Sequence, residues 1–132
     1  MREIGEPIGA QRCRELVDLA ARVYDAGEVK RAVKASEFAM EDVPDRVVVQ
    51  EVEVRVDGER LRVARTRPDA RPPFEWLLEV SSDLGETDYF KHYLFRDHDI
   101  VLAQRKVLTV IDEVEAEVLE RDLRAALREL KG

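Results

Sequence analysis

The dipeptide Asp57-Gly58 is the feature that most constrains the fold of this chain. It lies between two segments, 47–56 and 59–67, in which apolar and charged residues alternate, as is typical of strands that bury one face. A two-residue hairpin turn needs positive φ at both central residues, which Gly accepts freely and Asp tolerates. The turn therefore predicts an antiparallel strand pair. Its register places these residues opposite each other: Val54 and Leu61, Val52 and Val63, and Glu53 and Arg62.

A second hairpin is predicted downstream, where the segments 89–95 and 100–104 flank Asp97-His98. With Asp97-His98 as a two-residue turn, Phe95 lies opposite Ile100, Tyr93 opposite Leu102, and Leu94 opposite Val101. Both faces of this hairpin then carry apolar side chains. We therefore expect both faces to be covered, either by helices of the same chain or by a second subunit. Between the hairpins, alternation predicts a third strand with these residues on one face: Phe74, Trp76, Leu78 and Val80.

Helical periodicity appears at both ends of the chain. The segment 11–25 places Cys13, Leu16, Val17, Ala20 and Tyr24 on one stripe, and Gly27 is positioned to end this helix as a left-handed cap. A second helix is predicted from Glu28 to Met40. The last helix begins at Thr109 or Asp112 and runs to Leu130, because Asp112 and Glu115 have capping-box spacing.

These elements predict a single α+β domain. Residues 1–45 form a helical pair, residues 46–108 form a mostly antiparallel meander sheet of about five strands, and residues 109–132 form a C-terminal amphipathic helix. The buried stripe of that last helix is predicted to contain Leu119, Leu123, Ala126, Leu127 and Leu130.

Charge and composition narrow the classes of partner. The formal net charge is −7 and the isoelectric point is near 5.0, so the surface as a whole repels nucleic acids and anionic membranes. A lone Cys13 cannot form an internal disulfide, and no apolar run reaches the length of a signal peptide core or a membrane span. We expect a cytoplasmic protein that does not bind membranes.

One group of residues suggests a pocket on the sheet. Trp76, Glu79, Tyr89, Lys91 and Tyr93 would line a concave surface on which tyrosine hydroxyls orient a ligand and an acid transfers a proton. An enzymatic interpretation adds His92 to this pocket. Ordinary packing of aromatic side chains beneath a helix explains the same pattern, and we favour it. The adjacent Ser81-Ser82-Asp83 adds hydroxyls near a carboxylate, although these are also common turn residues.

The sequence predicts neither a metal site nor a cofactor. His92 and His98 are separated by six residues of extended chain, or roughly 20 Å, and cannot share an ion within one subunit. Cys13 lies on a buried helical stripe, where we expect a packed side chain rather than a reactive thiol.

The first hairpin carries an unusual concentration of arginine. Between Arg55 and Arg71, six arginines stand against three acidic residues, so a basic hairpin lies on an otherwise acidic chain. An acidic protein or a small anionic ligand is the partner that such a surface fits. Pairing with the neighbouring Glu51 and Glu53 would neutralise it. The residues predicted to bind are Arg60, Arg62, Arg65 and Arg67.

No catalytic motif is evident, so the sequence favours a non-enzymatic interaction or ligand-binding protein. We expect a homodimer, because the second hairpin is apolar on both faces. The first alternative is a small-molecule hydrolase or lyase that uses His92, Glu79 and Tyr93. The second is an RNA or acidic-partner binder that uses the arginine hairpin.

Overall fold

A computed structural model describes residues 6–31, 46–68, 78–83, 91–95, 99–104 and 107–132. These ranges contain two helices, α1 (Ala10–Ala26) and α2 (Glu113–Lys131). They also contain seven strands: β1 (Lys30–Arg31), β2 (Arg46–Val56), β3 (Glu59–Pro68), β4 (Leu78–Ser82), β5 (Lys91–Phe95), β6 (Ile100–Gln104) and β7 (Val107–Val110).

All seven strands belong to one antiparallel sheet whose order follows the chain from β1 to β7. The prediction of an α+β fold with an antiparallel meander is therefore confirmed. The prediction of about five strands is too low. It missed β1, which has two residues and pairs with β2, and β7, which has four.

The first hairpin has the predicted turn and the predicted register. Asp57 and Gly58 have φ values of 52° and 85°, as a two-residue turn of this hand requires. The three predicted pairs are all present. A register shift between Val48 and Gln50 interrupts the pairing of β2 with β3 at the far end. Turn chemistry thus sets the pairing near the turn.

The second hairpin also has the predicted register, since Phe95, Leu94 and Tyr93 lie opposite Ile100, Val101 and Leu102. The predicted third strand is present as β4, which pairs with β3 on one side and β5 on the other. Leu78 and Val80 both belong to the hydrophobic core, as a shared face requires. Phe74 and Trp76 lie outside the described residues.

Helix α1 buries Cys13, Leu16, Ala20 and Tyr24 as predicted, with Val17 partly buried against the core. Burial raises the pKa of the Cys13 thiol, which keeps it protonated and unreactive. The prediction of a left-handed cap at Gly27 is wrong, because its φ is −86°. Glycine serves a different purpose here. A Cβ atom at Gly27 would lie 2.0 Å from Val52 Cγ1, so the helix end approaches β2 too closely for a side chain.

The prediction of a second helix is wrong for the first residues of that segment. Lys30 and Arg31 are extended and pair with Glu51 and Gln50 of β2. The helical periodicity of this short segment is a weaker influence than backbone pairing with the otherwise unpaired edge of β2. Residues 32–45, which include the rest of this predicted helix, lie outside the described residues.

Helix α2 begins where the capping residues predicted. The Asp112 side chain accepts a hydrogen bond from the Glu115 backbone N–H at 2.9 Å, and Thr109, the alternative cap, lies in β7. The predicted stripe is buried at Leu119, Leu123, Ala126 and Leu127. Leu130 is partly buried.

The two helices pack against each other and against one face of the sheet. Arg12 of α1 links them, since its Nε atom lies 3.0 Å from Glu113 Oε1 and its guanidinium also pairs with Glu120. The core lies between this helical layer and the sheet. Its largest fully buried apolar side chains are Tyr93, Phe95, Leu16, Leu61, Ile100, Leu119 and Leu123.

Candidate ligand-binding site on the second face of the sheet

Side-chain alternation divides the sheet into two faces. The helix-covered face carries core residues such as Val52, Val63, Val80 and Tyr93, which lie opposite one another on β2 to β5. The residues between them point the other way. We call that side the second face. It contains two rows of residues that lie opposite one another from β2 to β7. The first row is Glu53, Arg62, Ser81, His92, Ala103 and Leu108. The second row is Glu51, Ala64, Glu79, Leu94, Val101 and Val110.

The centre of the second face holds a buried histidine–glutamate pair. His92 Nε2 and Glu79 Oε1 share a hydrogen bond, and the two side chains are only 2% and 3% exposed. Glu79 lies on β4 and His92 on β5. They are diagonal neighbours, because the residue directly opposite His92 is Ser81, two positions after Glu79. A buried carboxylate is costly unless a hydrogen-bonding or charged partner compensates it. The β4–β5 register supplies that partner.

Small residues surround this pair. Ser81 and Ala103 lie opposite His92 on the strands to either side, and Ala64 and Leu94 flank Glu79 in the same way. Three of these four neighbours are Ala or Ser, so the imidazole and the carboxylate stand above a floor of short side chains. The pair and these neighbours are all buried in the single chain, since Leu94 and Ala103 are 0% exposed and Ala64 and Ser81 are 7% and 8% exposed.

Ser81 differs from the other polar groups at the centre of this face. Its residue is 8% exposed, and its hydroxyl has no hydrogen-bond partner among the residues that the structure describes. Buried hydroxyls are nearly always paired, with protein or with bound water. Such a hydroxyl therefore needs a water molecule or another small polar group as its partner.

The second face changes in character across the sheet. On β2 and β3, Arg62 pairs with Glu51, and Arg60 lies 3.7 Å from Glu53 and 3.9 Å from Asp83. On β5 and β6 the face is apolar, and Leu94, Val101 and Ala103 are buried. Ser81, His92 and Glu79 lie at the boundary. This arrangement fits a molecule with a polar group at one end and an apolar body.

The opposite side of the same strands carries a second set of buried polar groups. The Tyr93 hydroxyl donates to Glu115 Oε1 of helix α2, and Lys91 Nζ lies 3.1 Å from the same oxygen. Ser82 Oγ lies 3.5 Å from Asp122 Oδ2. Burial raises the pKa of the Asp122 carboxyl, although Arg121, Lys91 and Ser82 favour its charged form. These contacts fasten α2 to the sheet.

The structure brings together only some of the residues predicted to form a pocket. His92 and Glu79 are in contact, but Tyr93 lies on the helix-covered face with its hydroxyl on Glu115. Neighbouring strand residues point to opposite faces, so Tyr93 cannot share a pocket with His92. Trp76 and Tyr89 lie outside the described residues.

The predicted arginine site is likewise divided. Arg60 and Arg62 are on the second face and are engaged with acidic side chains. Arg65 lies opposite Leu78 on the other face and is exposed. Arg67 lies in β3 opposite Val47, and its side chain is outside what the structure describes.

Sequence reasoning missed the contacts of Glu115 and Asp122 with the sheet. A signal for Asp122 was present, because a charged residue stands between Leu119, Leu123 and Ala126 on the apolar stripe of α2. Such a residue needs a partner on the facing element. The position of Ser81 on the second face could have been predicted from the alternation of side-chain directions along its strand.

No group of three or more His, Cys, Asp or Glu side chains able to hold a metal ion occurs within the described ranges. Neither helix is long and apolar enough to cross a membrane. No family model, curated protein or solved structure matches this chain.

Proposed function

We propose that this protein binds a small molecule on the second face of its sheet without transforming it chemically. The observation that carries the proposal is the buried, unpaired Ser81 hydroxyl beside the hydrogen-bonded His92–Glu79 pair. Leaving a buried hydroxyl unpaired costs about 1–3 kcal/mol. A bound molecule that supplies the missing hydrogen bond would offset that cost.

Nuclear magnetic resonance of methyl groups tests this proposal directly. A collection of small apolar alcohols, amides and acids is added to the labelled protein, and the methyl signals of Leu94, Val101 and Ala103 are followed. We expect binding compounds to shift these signals and to leave Leu123 and Ala126, on α2 beneath the other face, unmoved. If every compound leaves the second-face methyls in place, or shifts only those of α2, the proposal is wrong.

A pair of matched variants sharpens the test. Ala103→Val adds two methyl groups beside His92 and should abolish the shifts, because the added volume occupies the space of the ligand. Ala126→Val adds the same volume at a position that is equally buried on α2 and should leave binding unchanged. Equal effects of the two variants would indicate a general loss of packing rather than a site at Ala103.

A small-molecule hydrolase or lyase is the second candidate, and the His92–Glu79 hydrogen bond favours it. A histidine held by a carboxylate is a common general base. Without Tyr93, however, this group has fewer side chains to orient a substrate. Turnover of a bound compound, lost in His92→Gln with binding retained, would establish this candidate over simple binding.

The homodimer stays a proposal. It was inferred from the apolar second hairpin, but Leu94 and Val101 are 0% and 4% exposed in a single chain. Their burial does not require a second subunit. Sedimentation of the purified protein at micromolar concentration tests it, with a single species of monomer mass as the contrary result.

Binding of an acidic partner or RNA through the arginine hairpin has less support. Arg60 and Arg62 already pair with Glu51, Glu53 and Asp83, so a phosphate or carboxylate would have to displace these partners. Retention on heparin at low salt, reduced by Arg62→Ala, would support it. The cytoplasmic location likewise stays a prediction.

A further inference from the structure

We propose that two copies of this chain associate by antiparallel pairing of their β7 strands, so that the two sheets become one continuous sheet. The inference does not depend on the small-molecule site of the second face, and it assigns the homodimer to a surface other than the second hairpin. Three features of β7 lead to it: its place at an edge of the sheet, the direction of its backbone groups, and its residues.

The sheet has two edges of very different character. Its strand order runs from β1 to β7, so these two strands lie at the edges. β1 has only two residues, Lys30 and Arg31, and short charged edge strands resist pairing with another chain. β7 has the sequence Val-Leu-Thr-Val, with no charge, proline or glycine to oppose pairing. β7 is therefore the edge to which a further strand can be added.

The backbone of β7 has hydrogen-bonding groups on its outer side. Ile111, directly after β7, donates its N–H to the C=O of Ile100 at 3.0 Å. Backbone groups of successive strand residues point alternately to the two sides of the strand, so Thr109 directs its N–H and C=O toward β6, as Ile111 directs its N–H. Leu108 and Val110 direct theirs away from β6. Within the described ranges, β6 is the only strand that pairs with β7.

The side chains of β7 and its contacts are consistent with an open edge. Thr109 is exposed, and Leu108 and Val110 are half-buried. The N-terminal segment pairs only past the end of β7, where Ile8 N–H donates to Ile111 C=O at 3.2 Å. That contact does not extend to Leu108 or Val110.

Two copies of β7 complement each other in the antiparallel orientation. When Leu108 of each copy lies opposite Val110 of the other, the outward N–H and C=O groups of both residues find partners about a two-fold axis. Thr109 then faces Thr109 of the other copy, and opposed threonines are a favourable cross-strand pair. The same strand thus supplies both halves of the interface.

The charges on either side of β7 favour a second copy as the partner. Arg105 and Lys106 precede the strand, and Asp112 and Glu113 follow it. Arg105 and Lys106 lie outside the described residues, but the sequence fixes their charges and their order in the chain. In an antiparallel pair of identical strands, the basic start of each strand lies beside the acidic end of the other. Glu113 already pairs with Arg12 but is 58% exposed, so it can meet a second cation.

Charge substitution at Thr109 tests this pairing, because each copy places the residue opposite itself. We expect the wild type to sediment as a dimer at micromolar concentration. Thr109→Lys and Thr109→Glu each set like charges opposite each other and should raise the dissociation constant about tenfold or more. An equimolar mixture of the two variants should regain dimers that contain one copy of each, because the facing charges are then opposite.

Val29→Lys supplies the matched control. Val29 directly precedes the opposite edge strand and is 42% exposed. The variant adds the same charge at the other edge of the sheet and should remain dimeric. Loss of the dimer in both lysine variants would reflect net charge rather than pairing at β7, and would overturn the inference.

Amide hydrogen exchange of the wild type identifies the strand that pairs and requires no variant. The amides of Leu108 and Val110 should exchange more slowly as the protein concentration rises, because dimerisation gives them acceptors. The Thr109 amide bonds to β6 with or without the second copy and should change much less.

Four other outcomes would overturn the inference. They are a wild type that stays monomeric, a dimer that Thr109→Lys leaves intact, a mixture of variants that does not regain dimers, and exchange at Leu108 and Val110 that does not depend on concentration. None of them bears on the methyl shifts that test the small-molecule site.

Discussion

The two faces of this sheet both bury polar side chains, and adjacent residues of the same strands supply them. On the helix-covered face, Ser82 lies near Asp122, and Lys91 and Tyr93 contact Glu115. On the second face, one residue along each strand, His92 bonds to Glu79, but Ser81 has no partner within the described ranges. The strands are the same, and only the direction of the side chains differs.

The comparison separates a structural role from the proposed binding role. Polar groups under α2 are matched by side chains of that helix, so they fix its position on the sheet. The second face has a matched pair with an unmatched hydroxyl beside it, which a purely structural arrangement would avoid. This difference is the reason for placing the candidate site on the second face.

The largest expected effect on stability comes from breaking the hydrogen bond between His92 and Glu79. Glu79→Leu should lower the free energy of unfolding by about 3 kcal/mol, because the buried imidazole of His92 loses its hydrogen bond to the carboxylate. The double variant Glu79→Leu, His92→Leu should recover part of this loss. Urea unfolding of the wild type, both single variants and the double variant measures the coupling. Additive losses would show that the two residues do not stabilise each other.

A smaller loss of stability is expected when the contacts between α2 and the sheet are removed. Glu115→Ala deprives the buried Tyr93 hydroxyl and Lys91 of their shared acceptor and should cost about 2 kcal/mol. Glu117→Ala, at an exposed position on the same helix, should change the free energy of unfolding by less than about 0.5 kcal/mol. If the two variants are equally stable in urea, the contacts of Glu115 do not hold the helix.

Replacing each of the two adjacent serines by alanine should change the free energy of unfolding in opposite directions. Ser82→Ala removes a hydroxyl that lies within hydrogen-bond range of the buried Asp122 and should be destabilising by about that amount. Ser81→Ala removes a buried hydroxyl with no described partner and should raise the free energy of unfolding of the unliganded protein by about 1 kcal/mol, because the cost of burying that hydroxyl unpaired disappears. A loss of stability for Ser81→Ala in thermal or urea unfolding would mean that its hydroxyl is already satisfied, and the contrast between the faces would disappear.

The smallest effect concerns the pH dependence of stability. Burial raises the pKa of Asp122, so the folded chain keeps a proton that the unfolded chain releases from about pH 4 upward. The contribution of Asp122 is complete below that pH and is lost as the pH rises through the raised pKa. Asp122→Asn should therefore reduce the decline in unfolding free energy with increasing pH.

Glu120 provides the control of opposite sign. Hydrogen bonds from Arg124 and Arg12 lower the pKa of Glu120, so its contribution is present above the unfolded pKa and is lost as the pH falls. Glu120→Gln should flatten the acid side of the stability profile instead. The effect will be modest, because the Glu120 side chain is 27% exposed and solvent screens it. Identical profiles for Asp122→Asn and the wild type would contradict the assignment for Asp122.

Much of the fold could be predicted because its signals are local. The Asp57-Gly58 turn, the alternation around it and the cap at Asp112 each involve residues within a few positions of one another. Besides the strand count, the failures are the predicted roles of Gly27 and of the segment from Glu28. Gly27 is explained by the approach of Val52, which is 25 positions away, and Lys30 is extended because β2 pairs with it. Local periodicity contains no information about either neighbour.

The candidate site depended more heavily on the tertiary structure. His92, Glu79 and Ser81 were recognisable as residues with chemical capacity, and alternation alone separates His92 from Tyr93. Their meeting requires the register between β4 and β5, which no two-residue turn specifies. The partners of Asp122 and Glu115 on the sheet lie 40 and more than 20 positions away. Sequence alone determined the strands, turns and caps, because backbone geometry acts over a few residues. Only packing decided which buried polar groups found partners, because a hydrogen bond between distant residues forms only once the whole sheet and its helices are in place.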